Sequence, residues 1–452
     1  MKQRISRLTM WIAKSPKQHW TAPIPGQRFI TTSLHTKPTI SSSSSETCPC
    51  HRMRTTFSRV SNGHIFSPNF LIYFISKFEN LNSDHHELFQ LQFFWVFFPV
   101  NRSPDGSCFL TCADDNTLHV FTLPYDDSGN PVNTSASVTD ADSYAANLVI
   151  TEGESVYDYC WYPHMTASNP DLCVYATTTR DHPIHLWDAN SGQLRCTYRA
   201  YDAMDEITAA FSIGFNPSGT KIYAGYNKTI RIFDVHRPGR DFDQHSTVLG
   251  NKEGQSGIIS SIAFSPAYSG MLAAGSYSQT TAIYRDDNME LLYVLHGQEG
   301  GVTHVLFSKD GNYLYTGGRK DPYVMCWDIR KTVDVVYKLY RSTESTNQKI
   351  QFDIEPLGRH LGTGGQDGLV HIYDLQTGQW VSSFQAASDT ISGFSFHPIL
   401  PMAATASGHR RFGALDVDDS QENMNPIGDE NCVSVWSFFS SMGDSTVGGD
   451  SG

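Results

Sequence analysis

Six short segments between residues 180 and 411 are predicted to form tight turns, and five of them carry basic or aromatic side chains. Guanidinium and ammonium groups bind phosphates, and exposed aromatic rings stack on unpaired bases, as in the recognition of single-stranded RNA. The segments are Arg180-Asp181-His182, Asn227-Lys228, Tyr277-Ser278-Gln279, Arg319-Lys320, Gln366-Asp367 and His409-Arg410-Arg411. We predict phosphate or base contacts at Arg180, His182, Lys228, Arg319, Lys320, His409, Arg410 and Arg411, and base stacking at Tyr226 and Tyr277.

Two other interpretations of these segments stay open on the residues alone. Arg180–Asp181 and Lys320–Asp321 would serve equally well as surface ion pairs, which stabilise a protein little. A protein partner also fits such a surface as well as RNA does, since basic residues recur in the turns expected on the opposite face. These are His236, Arg237, Arg240, Arg330 and Lys331.

The charge of the chain is uneven. Residues 1–60 hold ten Lys or Arg and one acid, Glu46, for a net charge of +9, whereas the whole chain carries −13. The remaining residues therefore carry −22. Such an acidic body argues against unspecific coating of nucleic acid and limits any RNA site to a local patch.

The candidate turns belong to a repeated unit. Residues 364–374 contain a strand end, a tight turn at Asp367-Gly368 and a second strand that closes on an aromatic residue and Asp374. A period of about 40–45 residues with four short strands per unit is typical of a propeller blade. The aromatic residue closes the third strand at Phe121, Trp187, Phe233, Tyr284, Trp327, Tyr373 and Trp436. These seven residues predict an all-β, seven-bladed β-propeller over residues 107–438.

A second landmark is the aromatic residue expected at the end of each inner strand. It occurs at Trp161, Phe215, Phe264, Phe307, Phe352 and Phe396. Ahead of the first blade the matching turn, Ser103-Pro-Asp-Gly106, is present, but Arg102 stands where the aromatic residue is expected.

The segments around the propeller differ in composition. Residues 1–60 are predicted to be a disordered basic tail, although an acid-poor, Arg- and Ser-rich N-terminus also resembles a transit peptide. Residues 61–106 form an irregular Phe-rich segment without a helical or strand period, which we hypothesise to be translated intron. The strand that closes the ring is expected at residues 58–70. Surface insertions are expected at 126–144 and, as an acidic loop, at 415–431, and a second disordered tail at 439–452.

No pattern of catalytic residues is present. The glycine-rich stretch at residues 362–368 opens no helix, so it is expected to form a blade turn instead of a phosphate loop. The 18 histidines form no metal-binding pattern, and the nine scattered cysteines are predicted to be reduced thiols of a cytosolic or nuclear protein. No apolar run reaches the length of a membrane span. We therefore predict a non-enzyme without cofactor, metal, membrane contact or small-molecule substrate.

Several loop segments resemble one particular family. Together they are similar to the telomerase Cajal-body protein family, and the resemblance extends over residues 103–438. The segments are Thr179–Asp188, Tyr198–Ala210, Arg237–Asp241, Gly254–Ser260, Gly300–His304 and Gly318–Asp321. The composition is compatible with a plant member. The chain departs from the family pattern in its basic tail and in the Phe-rich segment that replaces the inner strand of the first blade.

The resemblance implies a WD-repeat propeller that binds a short single-stranded box in the terminal loop of H/ACA-type RNAs, namely small Cajal-body RNAs and telomerase RNA. It also implies association with telomerase and H/ACA ribonucleoprotein proteins, folding by a chaperonin, and a non-catalytic role in the nucleus. There the protein would direct the ribonucleoprotein to Cajal bodies and support telomere maintenance. The alternative from another class is a WD-repeat adaptor that binds only proteins, such as a substrate receptor of a ubiquitin ligase.

Overall fold

A computed structural model describes residues 100–123, 146–250, 254–267, 270–331, 334–409 and 431–438, together with the backbone of 86–92. All of these residues belong to one unit, Phe66–Gly452. The predicted tails at 1–60 and 439–452, the insertion at 126–144 and nearly all of the acidic loop at 415–431 lie outside the described residues.

The described chain forms seven four-stranded antiparallel sheets, which are the blades of a propeller. The first strands of neighbouring blades lie against one another around a central axis. Blade 1 contains β2 (Asn101–Arg102), β3 (Cys108–Cys112), β4 (Thr117–Thr122) and β5 (Leu148–Thr151). Blade 2 contains β6 (Val156–Trp161), β7 (Val174–Thr179), β8 (Ile184–Asp188) and β9 (Leu194–Tyr198), with a 3₁₀ helix at Pro170–Leu172. Blade 3 contains β10 (Ser212–Phe215), β11 (Lys221–Gly225), β12 (Thr229–Asp234) and β13 (Asp243–Ser246).

The remaining blades follow the same order. Blade 4 contains β14 (Ile259–Phe264), β15 (Met271–Ser276), β16 (Thr280–Arg285) and β17 (Leu291–His296). Blade 5 contains β18 (Val302–Phe307), β19 (Tyr313–Gly318), β20 (Tyr323–Asp328) and β21 (Val335–Tyr340). Blade 6 contains β22 (Phe352–Ile354), β23 (His360–Gly364), β24 (Leu369–Asp374) and β25 (Gln379–Gln385). Blade 7 contains β26 (Ile391–Phe396), β27 (Met402–Ser407) and β28 (Cys432–Ser437), and its outer strand is β1 (His86–Gln92). The predicted seven-bladed propeller is confirmed.

The ring closes in blade 7 between strands from opposite ends of the described chain. Strand β1 pairs antiparallel with β28, from His86 opposite Ser437 to Gln92 opposite Cys432. The prediction that residues 58–70 supply this strand is wrong, since the donor is β1 at His86–Gln92. The register shifts between Glu87 and Phe89. This shift breaks the alternation of side chains by which a strand is found in a sequence.

The sheet registers explain why the aromatic landmarks recur. In each blade the last residue of the inner strand, a residue of the second strand and the closing aromatic of the third strand stand side by side, as in Phe307, Leu314 and Trp327. The column of blade 1 is Arg102, Phe109 and Phe121, so Arg102 does occupy an aromatic position.

One landmark is misplaced by two residues. In blade 6 the column begins with Ile354, which pairs with Leu361, and not with Phe352. Phe352 starts the strand instead and is fully buried, with its ring centroid 4.5 Å from that of His304.

The apolar core is divided among the seven interfaces between blades. Each of the seven core clusters combines buried residues of two neighbouring blades. The cluster between blades 7 and 1 joins Phe109 and Phe121 to Ala404 and Val435. The ring is therefore held by burial of apolar surface all around, including at its closure.

Buried polar groups tie the connections between blades to the sheets. In blade 5 the Gln298 amide donates to Asp321 (2.7 Å), Thr316 donates to Gln298 (2.9 Å), and Trp327 donates to Thr316 (3.0 Å). In blade 2 the buried carboxylate of Glu152 is the central acceptor of the corresponding network, and the Trp187 indole donates to it (2.8 Å). Burial raises the pKa of Glu152, but hydrogen bonds from His185, Thr177 and Trp187 outweigh that effect and leave the pKa below its usual value.

The described residues hold no helix of the length and hydropathy that a membrane crossing requires. Across the same ranges no group of three or more His, Cys, Asp and Glu side chains is arranged to hold a metal ion. The seven described cysteines are all free thiols.

Two histidines of the ring, half-buried His304 and buried His397, resist protonation. The pKa of His304 is lowered to about 3 by burial and by the charges of Lys349 and Arg341. The pKa of His397 is lowered to about 3 by burial and by the charge of Arg102. The backbone N–H of Phe352 donates to Nδ1 of His304, which is consistent with a neutral ring.

We expect the propeller to lose stability as the pH falls from about 6.5 towards 3, because these histidines take up protons only on unfolding. Each should cost about 2 kcal/mol between pH 7 and pH 5. The substitution His304→Asn keeps an acceptor for the Phe352 N–H and removes the titrating group. Between pH 7 and pH 5, the free energy of unfolding of this variant should therefore fall by about 2 kcal/mol less than that of the wild type. Equilibrium urea unfolding at several pH values measures this. The exposed His296→Asn is the control, and an unchanged pH dependence of His304→Asn would contradict the prediction.

Candidate nucleic-acid interface

The predicted basic turns lie on one face of the propeller. They join the second and third strands of their blades, and each is hydrogen-bonded to the connection that leads from one blade to the next. The backbone N–H of Arg180 donates to Ser155 O (2.9 Å), that of Lys228 to Gly257 O (2.8 Å) and that of Arg319 to Gly301 O (3.0 Å). We call the surface made of these turns and connections the first face.

Several of these turns require a left-handed backbone. The residue directly before the third strand has a positive φ in four blades, at Asn116 (67°), Lys228 (58°), Gln279 (67°) and Gly368 (74°). Two positions inside longer turns share this conformation, Asp181 (57°) and Lys320 (52°). Glycine adopts it without the steric cost that other L-residues incur. Both lysines therefore stand where the backbone would favour glycine.

Lys228 and Lys320 are exposed, and neither forms an ion pair within the described part of the chain. The alternative of a Lys320–Asp321 ion pair is wrong. The Asp321 carboxylate is fully buried and accepts from the Gln298 amide (2.7 Å) and from the backbone of Glu299 (2.8 Å). The ammonium group of Lys320 is consequently available to a ligand.

Arg319 and Tyr277 form a pair across two blades. The Arg319 guanidinium lies 4.2 Å from the centroid of the Tyr277 ring, which is the geometry of a cation–π contact. Tyr277 is 36% exposed. A side chain on Gly301 would stand 2.9 Å from Tyr277 O and 3.3 Å from Arg319 Nε, so the absence of a side chain there allows the two turns to approach.

The predicted residues of blades 2 and 7 that the structure describes contact other groups of the protein. Arg180 forms an exposed ion pair with Asp181 (3.4 Å), as the surface-pair interpretation expected, and this leaves its guanidinium accessible. His182 is half-buried, with Nδ1 2.7 Å from the Arg180 carbonyl oxygen. His409 lies 2.8 Å from the carboxylate of the fully buried Asp389. Arg410 and Arg411 lie outside the described residues.

Tyr226 does not provide an exposed ring, and that prediction is wrong. It is only 5% exposed and packs in the core between blades 2 and 3, with the Arg231 guanidinium 4.5 Å from its ring centroid. Burial also raises the pKa of its hydroxyl. The expected place of Arg240 on the opposite face needs a similar correction. It contacts the Tyr201 ring and pairs with Asp205, both in a connection between blades.

Two aromatic residues that the sequence analysis did not select also belong to the first face. Tyr157 and Phe211 stack with ring centroids 5.3 Å apart and planes at 17°. Tyr157 is 37% exposed. Acidic Glu154 and Glu299 are exposed on the connections of this face. The positive charge of the first face is therefore confined to the basic turns.

The comparisons with known proteins agree with these features. A family model described as "WD domain, G-beta repeat" matches residues 289–328. Telomerase Cajal body protein 1 of Mesocricetus auratus is 41% identical over 343 residues, which are 74% of this chain and 61% of that protein.

The same relationship extends to other animals. Telomerase Cajal body protein 1 of Homo sapiens is 42% identical over 318 residues, 69% of this chain and 56% of that protein. The Drosophila melanogaster homolog is 36% identical over 317 residues, 69% of this chain and 56% of that protein. The chain thus spans about three-fifths of the length of the curated relatives it matches. With its seven WD-repeat blades and this similarity over most of its length, the chain belongs to the telomerase Cajal body protein family.

Proposed function

We propose that the first face binds single-stranded loops of small Cajal-body H/ACA RNAs and of telomerase RNA. The protein then acts as a non-catalytic scaffold in the nucleus. It directs the ribonucleoprotein to Cajal bodies and supports telomere maintenance, with telomerase and H/ACA proteins as partners and a chaperonin for its folding. The names of the relatives, which join telomerase to the Cajal body, support the cellular part of this proposal.

The observation that carries the RNA part is the Arg319–Tyr277 pair, with two lysines on the same face that have no carboxylate partner among the described residues. A guanidinium over an exposed ring offers both a charge for phosphate and a flat surface for a base. Lys320 directly follows Arg319 in the same turn, and Lys228 adds a third positive charge from blade 3. The body of the chain is otherwise acidic, so such a cluster would hold RNA only at a defined place.

Ultraviolet crosslinking of the full-length protein in cells tests the proposal directly. We expect H/ACA RNAs with Cajal-body boxes among the crosslinked RNAs, attached to peptides that contain Tyr277 or Arg319. A propeller that crosslinks to no RNA, yet recovers protein partners, would support the protein-only adaptor instead.

The lysines allow a test that leaves the fold intact. We expect Lys228→Gly and Lys320→Gly each to weaken binding of the crosslinked loop, made as a synthetic single strand. Each should also lower the slope of log affinity against log salt by about 0.7, which is the loss of one phosphate contact. Because both residues have a positive φ, glycine should keep the melting temperature nearly unchanged.

The matched controls are Asn116→Gly and Gln279→Gly, which change the same turn position as Lys228 without removing a charge. Asp181→Gly changes the position equivalent to Lys320 and removes an acid, so it should not weaken binding. If the controls and the lysine variants weaken binding alike, the lysines do not contact phosphate.

The shape of the Arg319 side chain should matter as much as its charge. Arg319→Lys keeps one positive charge but loses the planar group that lies over Tyr277. We expect several-fold weaker RNA binding with an unchanged salt slope, measured by fluorescence anisotropy. Full affinity in Arg319→Lys would show that only charge matters at this position.

A further inference from the structure

The inner strands of most blades carry an extra residue near the first face. The register shifts at this point between Val156 and Asp158 in blade 2, and equivalent shifts occur in blades 4, 5 and 7. Such a bulge places one side chain outside the regular alternation of the strand. The bulged residues are Tyr157, Ser260, Thr303 and Ser392.

In blades 4, 5 and 7 the bulged residue has a structural task. It is a buried hydroxyl residue whose oxygen donates to a carbonyl of the second strand. Ser260 Oγ donates to Gly275 O (3.2 Å), Thr303 Oγ1 to Gly317 O (3.3 Å) and Ser392 Oγ to Ala406 O (3.4 Å). The repeat therefore calls for a small hydroxyl residue here.

Blades 2 and 3 depart from this pattern together. Tyr157 stands four residues before Trp161, and Phe211 stands four residues before Phe215, so the two aromatics hold equivalent positions. Their rings stack on each other across the interface of the two blades. Because serine and threonine satisfy the fold at this position in blades 4, 5 and 7, an aromatic ring that is more than one-third exposed needs another explanation.

The stacked rings are fixed in place from below. Asp158 Oδ2 accepts the backbone N–H of Ile213 (3.0 Å), which ties the strand of Tyr157 to that of Phe211. Asp158 Oδ1 lies 3.0 Å from Lys349 Nζ, which reaches it from the connection between blades 5 and 6. The rings thus form part of a rigid surface at the mouth of the central axis.

Charged groups surround this surface. Burial raises the pKa of the Tyr157 hydroxyl, the charge of Arg180 lowers it, and Asp181, Glu154 and Tyr277 act to raise it. Tyr157 is therefore within electrostatic reach of the Arg180 turn and of Tyr277, over whose ring Arg319 of the next blade lies.

We propose that the stacked Tyr157–Phe211 pair is a platform for one unpaired base of a single-stranded RNA whose phosphates are held by the basic turns of the first face. This inference rests on the proposed RNA binding. It adds the position at which the bound RNA strand would pass the mouth of the central axis. Aromatic platforms accept any base because every base has a flat π-face, and a preformed stack requires no ordering of the protein on binding.

The test uses Tyr157→Ser, which installs the residue that blades 4 and 7 already have at this position. The probe is the loop sequence that crosslinks to the wild-type protein, synthesised as a single-stranded decamer. We expect Tyr157→Ser to bind about tenfold more weakly, and Tyr157→Phe to bind like wild type, because stacking needs the ring and not the hydroxyl. The salt slope should not change, since no charge is removed.

A second measurement does not depend on how well the variant folds. An abasic ribose is placed at each position of the decamer in turn. Wild type should lose affinity most at one position, and that position should cause no further loss in Tyr157→Ser, because base and ring belong to one contact. Equal losses in both proteins at every position would overturn the platform.

The two proposals fail in different ways. If the wild-type decamer binds Tyr157→Ser as tightly as wild type, the platform is wrong and RNA binding stands. If no RNA crosslinks to the wild-type propeller, RNA binding is wrong and the platform falls with it. Crosslinks from the peptide of Tyr157 to a polypeptide instead of a nucleotide would likewise overturn the platform.

Discussion

The pairing of β1 with β28 is the interaction on which the whole ring depends. Without β1 the outer edge of β28 would present a row of unpaired backbone groups, which is an open site for association. The core between blades 7 and 1 needs β28 in place, since it packs Val435 of β28 against Phe109 and Phe121 of blade 1. Each of the other blade interfaces is a local contact along the chain, whereas this one joins its ends. Contacts between residues so far apart in sequence generally form slowly.

Much of the fold can be predicted from the sequence, because each repeat has aromatic residues at fixed positions in the strand pairing. The closing aromatics, Trp327 for example, stand in columns with the inner and second strands, so their spacing predicts the blades directly. The strand β1 escapes prediction for a physical reason. Its register shift between Glu87 and Phe89 erases the alternation on which recognition of a strand depends.

The candidate site follows from the sequence only in part. Turn chemistry locates the turns of Lys228, Arg319 and Lys320 on one face, because tight turns are local, and the contact of these residues with RNA stays a prediction. Tyr226 is misjudged because its burial is decided by Arg231 on the next strand and by the core of the adjacent blade. The pair of Tyr157 and Phe211 is invisible to a search among turns, since it joins the bulged residue of one inner strand to the residue just before the next inner strand.

The turns also show how a repeat acquires specificity without losing its fold. Gly368 keeps the conformation that the turn prefers, while Lys228 takes the same φ with a charged side chain. The cost of that exchange is about 1 kcal/mol per residue, which a ring with seven apolar interfaces tolerates. The turns of the first face can therefore differ from blade to blade while the sheets keep their register.

The contact between Lys349 and Asp158 has a topological consequence. It joins blades that are not neighbours, so a side-chain bridge crosses the axis of the ring beneath its mouth. A polymer could pass along the axis only by breaking this ion pair, so a ligand on the first face has easier access from the outside. A ligand therefore needs no free chain end to reach this surface. The closed loop of a folded molecule has the same access to it as a linear strand.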